Sequence, residues 1–462
     1  MNELLRSSAS GMARAIREKK ISSTELIQAH LERIEAVNPQ LNAIVQLPAE
    51  RALQQARAAD ASLARGEISG PLHGVPVTFK DAIETAGIIS TGGTLGRCAF
   101  VPQEDAVVVK RLRAAGAIVL GKTNCPELGW AWESDNLIYG RTNNPYNLAL
   151  SPGGSSGGES ALIAAGGSPL GFGSDAGGSV RFPANCCGIA SIKPTSGRIS
   201  RTGHFPGPGG PLDTLWQIGP LARNVEDLEL ALKIVSGVDW NDPAIVPAPL
   251  GETGTVDLKD LRVAFHTDNQ IVAPEPEIAE VVRKAAAALS QAGAKVEESL
   301  PPGIGETYEI YRGLFCADGG SGLQGLLEAA GTRQIHPLLQ QALELQQRHG
   351  ISMADYGALA ARWDAFRSTM LGFMEHYDAV LCPVCSFAGM VHGSTYDRLS
   401  SFSYTMTYNL TGWPAAVVRA GTSAGGLPVG VQIVTRPWHE HVALAIARQL
   451  EEALGGWQRP PI

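Results

Sequence analysis

Apolar residues recur at helical spacing near the start of the chain. Leu26, Ile27, Leu31, Ile34 and Val37 fall on one face of a 3.6-residue period. Ser22, with Glu25 three positions on, forms a capping box that predicts where this helix begins. A second helix is expected over about 49–64. The period then changes to two: Val75, Val77 and Phe79 point one way, Thr78 and Lys80 the other, as on a strand. Residues 105–115 predict a helix stopped by Gly116, and 117–120 a short apolar strand. Strand, helix, strand in that order implies a right-handed βαβ unit and a largely parallel sheet.

Further along, Asn224 and Asp227 open a helix ending near Ser236. Strands are expected at 261–265 and 295–300, separated by a helix over 275–292. Residues 304–376 read as mostly helical and carry no motif. Strand patterns return at 379–381, 415–418 and 428–434, and a helix from His439 to Leu454 closes the chain. With no evident linker and no fixed-period repeat, the pattern favours one large α/β/α domain with a helical insertion.

Composition narrows the function. Of 462 residues 44% are hydrophobic and 18% charged, which is globular rather than disordered. A net charge of −8 argues against a sequence-independent nucleic-acid binder, which needs a basic stripe. No apolar run of about 18 residues and no charged-then-apolar leader is seen, so a cytoplasmic protein without a membrane span is expected. Seven cysteines suggest buried reduced thiols rather than a disulfide framework. Glycine is abundant, 53 residues, and accumulates in two bursts between Gly153 and Gly188, where backbone is expected to come close to something.

Several patterns mislead. Gly116 to Thr123 fits the nucleotide-binding loop G-x-x-x-x-G-K-T, yet its middle is an apolar strand and Asn124, Cys125 and Pro126 bar a following helix. Gly153-Gly-Ser155-Ser-Gly157 fits a nucleophile elbow, but Pro152 and the glycines leave little room for a strand running into it. Cys382-x-x-Cys385 reads as two packed thiols rather than a metal pair, and His439-Glu440-His441 as a solvated helix start. No cofactor or metal motif remains.

Three segments carry the chemistry together: Gly74–Asp81 around Lys80, Ser151–Glu159 around Ser155, and Gly173–Ala184 around Ser179. In these residues the chain resembles the amidase signature family, in particular its bacterial amidase and fatty acid amide hydrolase branches. Gly188–Arg198, Gln217–Arg223 and Gly426–Ile433 fit too. The resemblance is strong over about 70–235 and weaker elsewhere. It implies a three-layer α/β/α fold with a large mixed central sheet, an N-terminal helical region at 1–65 and an amidase signature domain at 66–462. It also implies Ser179 as nucleophile, Ser155 as the middle serine of a Ser–cisSer–Lys triad with a cis Gly154–Ser155 peptide, and Lys80 as base.

The chemistry is consistent with those roles. A serine hydroxyl attacks only when a base takes its proton, and a lysine serves only when burial keeps it neutral. Ala176, Gly177, Gly178 and Ser179 offer consecutive backbone N–H groups for an oxyanion hole. Ser156 is expected to hydrogen-bond near the nucleophile, and Asp175 with Arg181 to form a structural ion pair. Gly129, Trp130 and Trp132, aligned with an acyl-pocket segment of relatives, favour an apolar or aromatic substrate. The Gly/Pro-rich stretch 198–216 is expected over the site entrance, as a mobile lid or a rigid turn. The expected activity is hydrolysis of a small amide (an anilide, a fatty amide or a carbamate whose acyl-enzyme loses carbon dioxide), with esterase side activity, by a monomer or homodimer. The rival reading is the glutaminase component of a tRNA-dependent amidotransferase; the absence of an evident charged anchor for glutamine speaks against it.

Overall fold

The computed structural model describes residues 3–462. Its first half runs α1 (Ala9–Arg17), α2 (Ser23–Leu41), β1 (Ile44–Gln46), α3 (Ala49–Ala64), β2 (Pro76–Lys80), α4 (Val107–Ala114) and β3 (Ile118–Thr123). The glycine-rich region follows as α5 (Gly157–Ala164), β4 (Leu170–Asp175), α6 (Arg181–Cys187), β5 (Ala190–Lys193), β6 (Gln217–Ala222) and α7 (Val225–Val235). Next come β7 (Arg262–Phe265), α8 (Pro276–Gln291), β8 (Lys295–Glu298), and helices α9 (Thr307–Cys316), α10 (Ser321–Ala330), α11 (Pro337–Arg348) and α12 (Met353–Phe373). The chain ends with β9 (Ala379–Pro383), α13 (Ser403–Leu410), β10 (Ala415–Thr422), β11 (Pro428–Thr435) and α14 (Glu440–Leu454).

Among the described residues the strands form one sheet of 11, ordered β1-β3-β2-β4-β6-β5-β10-β11-β9-β7-β8. The expected βαβ unit is present, since β2 pairs parallel with β3 across α4. The largely parallel sheet is not. Parallel pairing is confined to β3-β2-β4 and β9-β7-β8, and the remaining pairs are antiparallel. The short turn at 423–427 is one reason: it can join β10 to β11 only as a hairpin, because a parallel partner needs a crossover of about a dozen residues. Residues 1–65, read as helical, also contribute β1 to the sheet edge, paired with β3.

Two cores sandwich this sheet in a three-layer α/β/α arrangement. On β10, Val418 faces a core with α1, α4, α7, α8 and α14, while Val417 faces one with α2, α3, α5, α6, α9 and α13. Strands β4, β5 and β6 are buried along their whole length on both faces, polar residues such as Ser174, Lys193 and Gln217 included, so alternation in the sequence does not mark a wet side. A third, small cluster joins Leu323 and Leu327 of α10 and Leu339 and Leu343 of α11 to Leu128. The helical insertion thereby roofs the segment carrying Trp130. The capping box is formed as expected, Ser22 accepting from Glu25 N and Glu25 from Ser22 N.

Candidate active site

The carboxyl ends of parallel strands β2 and β4 lie side by side, with Thr78 opposite Gly171 and Phe79 opposite Phe172. Lys80 ends β2, and Ser174 and Asp175 end β4; ligand sites of α/β sheets gather at such strand ends. The loop before α5 brings in Ser155. A Cβ on Gly154 would stand 2.3 Å from the Glu133 carbonyl oxygen, so only glycine lets that loop pack against residue 133. The Gly154–Ser155 peptide is cis.

Lys80 is 1% exposed, and its Nζ donates to Ser155 Oγ at 2.5 Å and to Ser174 Oγ at 3.0 Å. Burial pushes this amine down to about 8, against the opposing pull of Cys125 and Asp175. Ser174 Oγ also lies 2.8 Å from His204 Nε2. Ser156 N donates to Ser179 O at 3.1 Å, and its hydroxyl reaches Ser174 O at 3.4 Å. Gly129, at φ +78°, stands close by: a Cβ there would be 3.7 Å from Ser155 Oγ and 3.8 Å from Lys80 Nζ.

Asp175 and Arg181 form the expected ion pair, at 2.8 Å with both side chains fully buried. Burial alone would raise this carboxyl, but Arg181 and the Asn409 amide outweigh it and hold it well below the usual range. Arg181 also donates to Thr405 O at 3.0 Å, Gln432 Oε1 at 2.6 Å and Asn409 Oδ1 at 2.6 Å. The 175–181 loop, which carries Ser179, is thus fastened to α13 and β11. The expected oxyanion donors need one correction: Gly178 N donates to Asp175 Oδ1 at 2.7 Å, so its hydrogen is committed to the loop's own carboxylate. Among the described residues, Ala176, Gly177 and Ser179 N–H have no such partner.

Ser155 and Ser179 open into one cleft of about 860 Å³, counting its mouth. Its walls are Leu128, Trp130, Trp132, Trp216, Tyr311 and Phe315, with Pro206, Gly207, Gly209 and Leu212 of the 198–216 stretch at the rim. Trp132 is buried, stacked on Phe402 at 4.7 Å and donating to Gly177 O at 3.0 Å; Trp130 leans on Phe315 at 4.8 Å. Tyr311 OH donates to Ala176 O at 3.2 Å. Sequence reasoning misses His204, Trp216, Tyr311, Phe315, Thr405 and Asn409. Ser174 lies inside the third motif, whose wording assigns it no role. Glu440 corrects another expectation: instead of a solvated helix start it is fully buried, paired with Arg198 at 2.9 Å and accepting from Thr195 N at 3.0 Å.

A mixed sheet covered on both faces thus carries, at its strand ends, a buried lysine bonded to two serine hydroxyls beside a glycine-rich loop. The family model described as "Amidase" matches residues 25–444. The acylamidase of Rhodococcus erythropolis is 35% identical over 96% of this chain and 94% of its own. A component chain of the glutamyl-tRNA(Gln) amidotransferase of Moorella thermoacetica is 34% identical over 99% of both. Among solved structures, 6-aminohexanoate cyclic dimer hydrolase complexed with substrate superposes with a TM-score of 0.87 at 30% identity, covering 100% of this chain and 99% of its own. The chain belongs to the amidase signature family, and is an amidase enzyme.

Proposed function

We propose that this amidase is a free-standing serine hydrolase that cleaves the C–N acyl bond of a small, neutral, apolar or aromatic amide. Neutral Lys80 takes the proton of Ser155, which takes that of Ser179 as Ser179 Oγ attacks the carbonyl carbon. The oxyanion so formed meets the free N–H groups of Ala176, Gly177 and Ser179. On collapse the proton returns through Ser155 to the leaving nitrogen, the amine departs, and an acyl group stays on Ser179. Water, deprotonated by the same relay, then releases the acid. With the amine pushed down to about 8, roughly one molecule in ten carries neutral Lys80 at pH 7. Esters and carbamates present the same carbonyl to the same attack.

One observation carries the substrate reading. Among the described residues lining the cleft there is no lysine or arginine, Lys80 lying behind Ser155 and Ser174, and the one carboxylate, Asp175, is used up by Arg181, Asn409 and the loop backbone. Glutamine would bring an ammonium and a carboxylate into an aromatic cleft whose lining offers neither a free carboxylate nor a guanidinium to pair with them, a costly desolvation. The second reading, the glutaminase component of an amidotransferase, draws on the likeness to the Moorella chain.

The deciding experiment is intact-protein mass after an aryl fluorophosphonate, on wild type and Ser179→Ala, followed by release assays on an acyl anilide and on glutamine. One adduct on wild type only, with anilide turned over and glutamine untouched, is expected. Labelling that persists in Ser179→Ala removes the nucleophile, and glutamine hydrolysis with a co-purifying partner transfers the chain to the second reading.

A further inference from the structure

We propose that His204 is a positioning residue for the proton relay: it takes the hydroxyl hydrogen of Ser174 and thereby turns the lone pair of Lys80 toward Ser155. The inference rests on the reading of Lys80 as base. It follows from four contacts in line. His204 Nδ1 lies 2.9 Å from the Pro206 carbonyl oxygen, which can only accept, so Nδ1 carries the ring hydrogen. In a neutral imidazole Nε2 is then bare, and at 2.8 Å it can only accept from Ser174 Oγ–H. The Ser174 oxygen is left with lone pairs alone to offer Lys80 Nζ at 3.0 Å.

That fixed direction matters because a neutral amine has two hydrogens and a single lone pair. One hydrogen goes to Ser174; the lone pair is therefore available to Ser155 Oγ, 2.5 Å away. Were Ser174 free to rotate, its own hydrogen would point at the same lone pair and compete with Ser155 for it. A protonated His204 would produce that fault, since both ring nitrogens would then donate. Burial and the nearby Lys80 amine oppose this, holding the imidazole down to about 3. The ring is steadied by Trp216, with centroids 4.7 Å apart.

The test compares kcat and KM on a hydrolysed anilide for His204→Phe, His204→Gln, Ser174→Ala and the Phe/Ala double variant, with thermal melts to verify folding. Phenylalanine keeps the bulk against Trp216 and removes the acceptor; it should lower kcat about 10- to 100-fold with KM within about 3-fold. Glutamine puts an oxygen where Nε2 stood and should return kcat to within about 5-fold of wild type. The double variant should lose no more than the worse single one, as groups acting in one unit do. Wild-type kcat in His204→Phe, an effect on KM alone, or multiplying losses in the double variant would overturn the proposal. Lys80→Ala separates the two readings. If Lys80→Ala is inactive while His204→Phe is normal, only the positioning role fails; if Lys80→Ala is fully active, the base assignment fails as well.

Discussion

A lysine buried beneath two serines has one property a surface lysine lacks, a proton it can lose within reach of physiological pH. With Lys80 as the proposed base, active only when neutral, kcat/KM should rise on the acid side with a midpoint at about pH 8, where burial has moved the Lys80 amine. A pH–rate profile measures this directly; a midpoint near 6.5 would instead point to an imidazole as base. Ser179→Ala should lower turnover by at least ~10³-fold with an unchanged melting temperature, because Ser179 borders an open cleft and its removal leaves no sealed cavity. Release assays beside a thermal melt read both halves of that expectation. Lys80→Ala should be comparably inactive, since among the described residues no other titratable side chain hydrogen-bonds Ser155 Oγ.

Single helices and strands matter here through the loops they hold. The first turn of α14 carries Glu440, whose carboxylate grips Arg198 with two bonds at 3.1 and 2.9 Å and caps Thr195 N. Removing one partner of a fully buried pair leaves the other charge unpaired, so Glu440→Ala should destabilise the fold by about 3–5 kcal/mol. Denaturant unfolding would show it, and a loss under about 1 kcal/mol would mean that water reaches Arg198 readily. The sequence reports elements that have a wet side. Helices α2 and α3 are legible from Ser22, Glu25 and the apolar stripe because their outer faces are polar. Elements α5, β4 and α6 are buried on every side, polar residues such as Glu159, Asp175 and Arg181 included, so no wet face sets a period in their sequence. The site divides in the same manner. Lys80, Ser155 and Ser179 can be picked out because their motifs are contiguous. His204, Tyr311 and Asn409 reach the cleft from separate segments, and local wording does not announce which distant residues the sheet will bring together.

Across the whole molecule, early and late strands are shuffled into one sheet: β5 pairs with β10, and β11 with β9. A chain cut in the exposed 207–210 stretch should therefore stay in one piece, since β4 before the cut is bonded to β6 after it over six register pairs. A protease site placed there, then cleaved, should give two bands on a denaturing gel and one peak in gel filtration; separating fragments would show that the halves are independent. The clamp from Arg181 to Gln432 spans 251 positions of the chain. A ribosome adding about 5–20 residues per second needs roughly 12–50 s to cover that distance. For that interval a nascent molecule already holds Lys80, Ser155 and Ser179 in its sequence, yet lacks Gln432, one anchor of the loop that carries Ser179. That anchor arrives with the final hairpin, among the last parts of the chain to be translated.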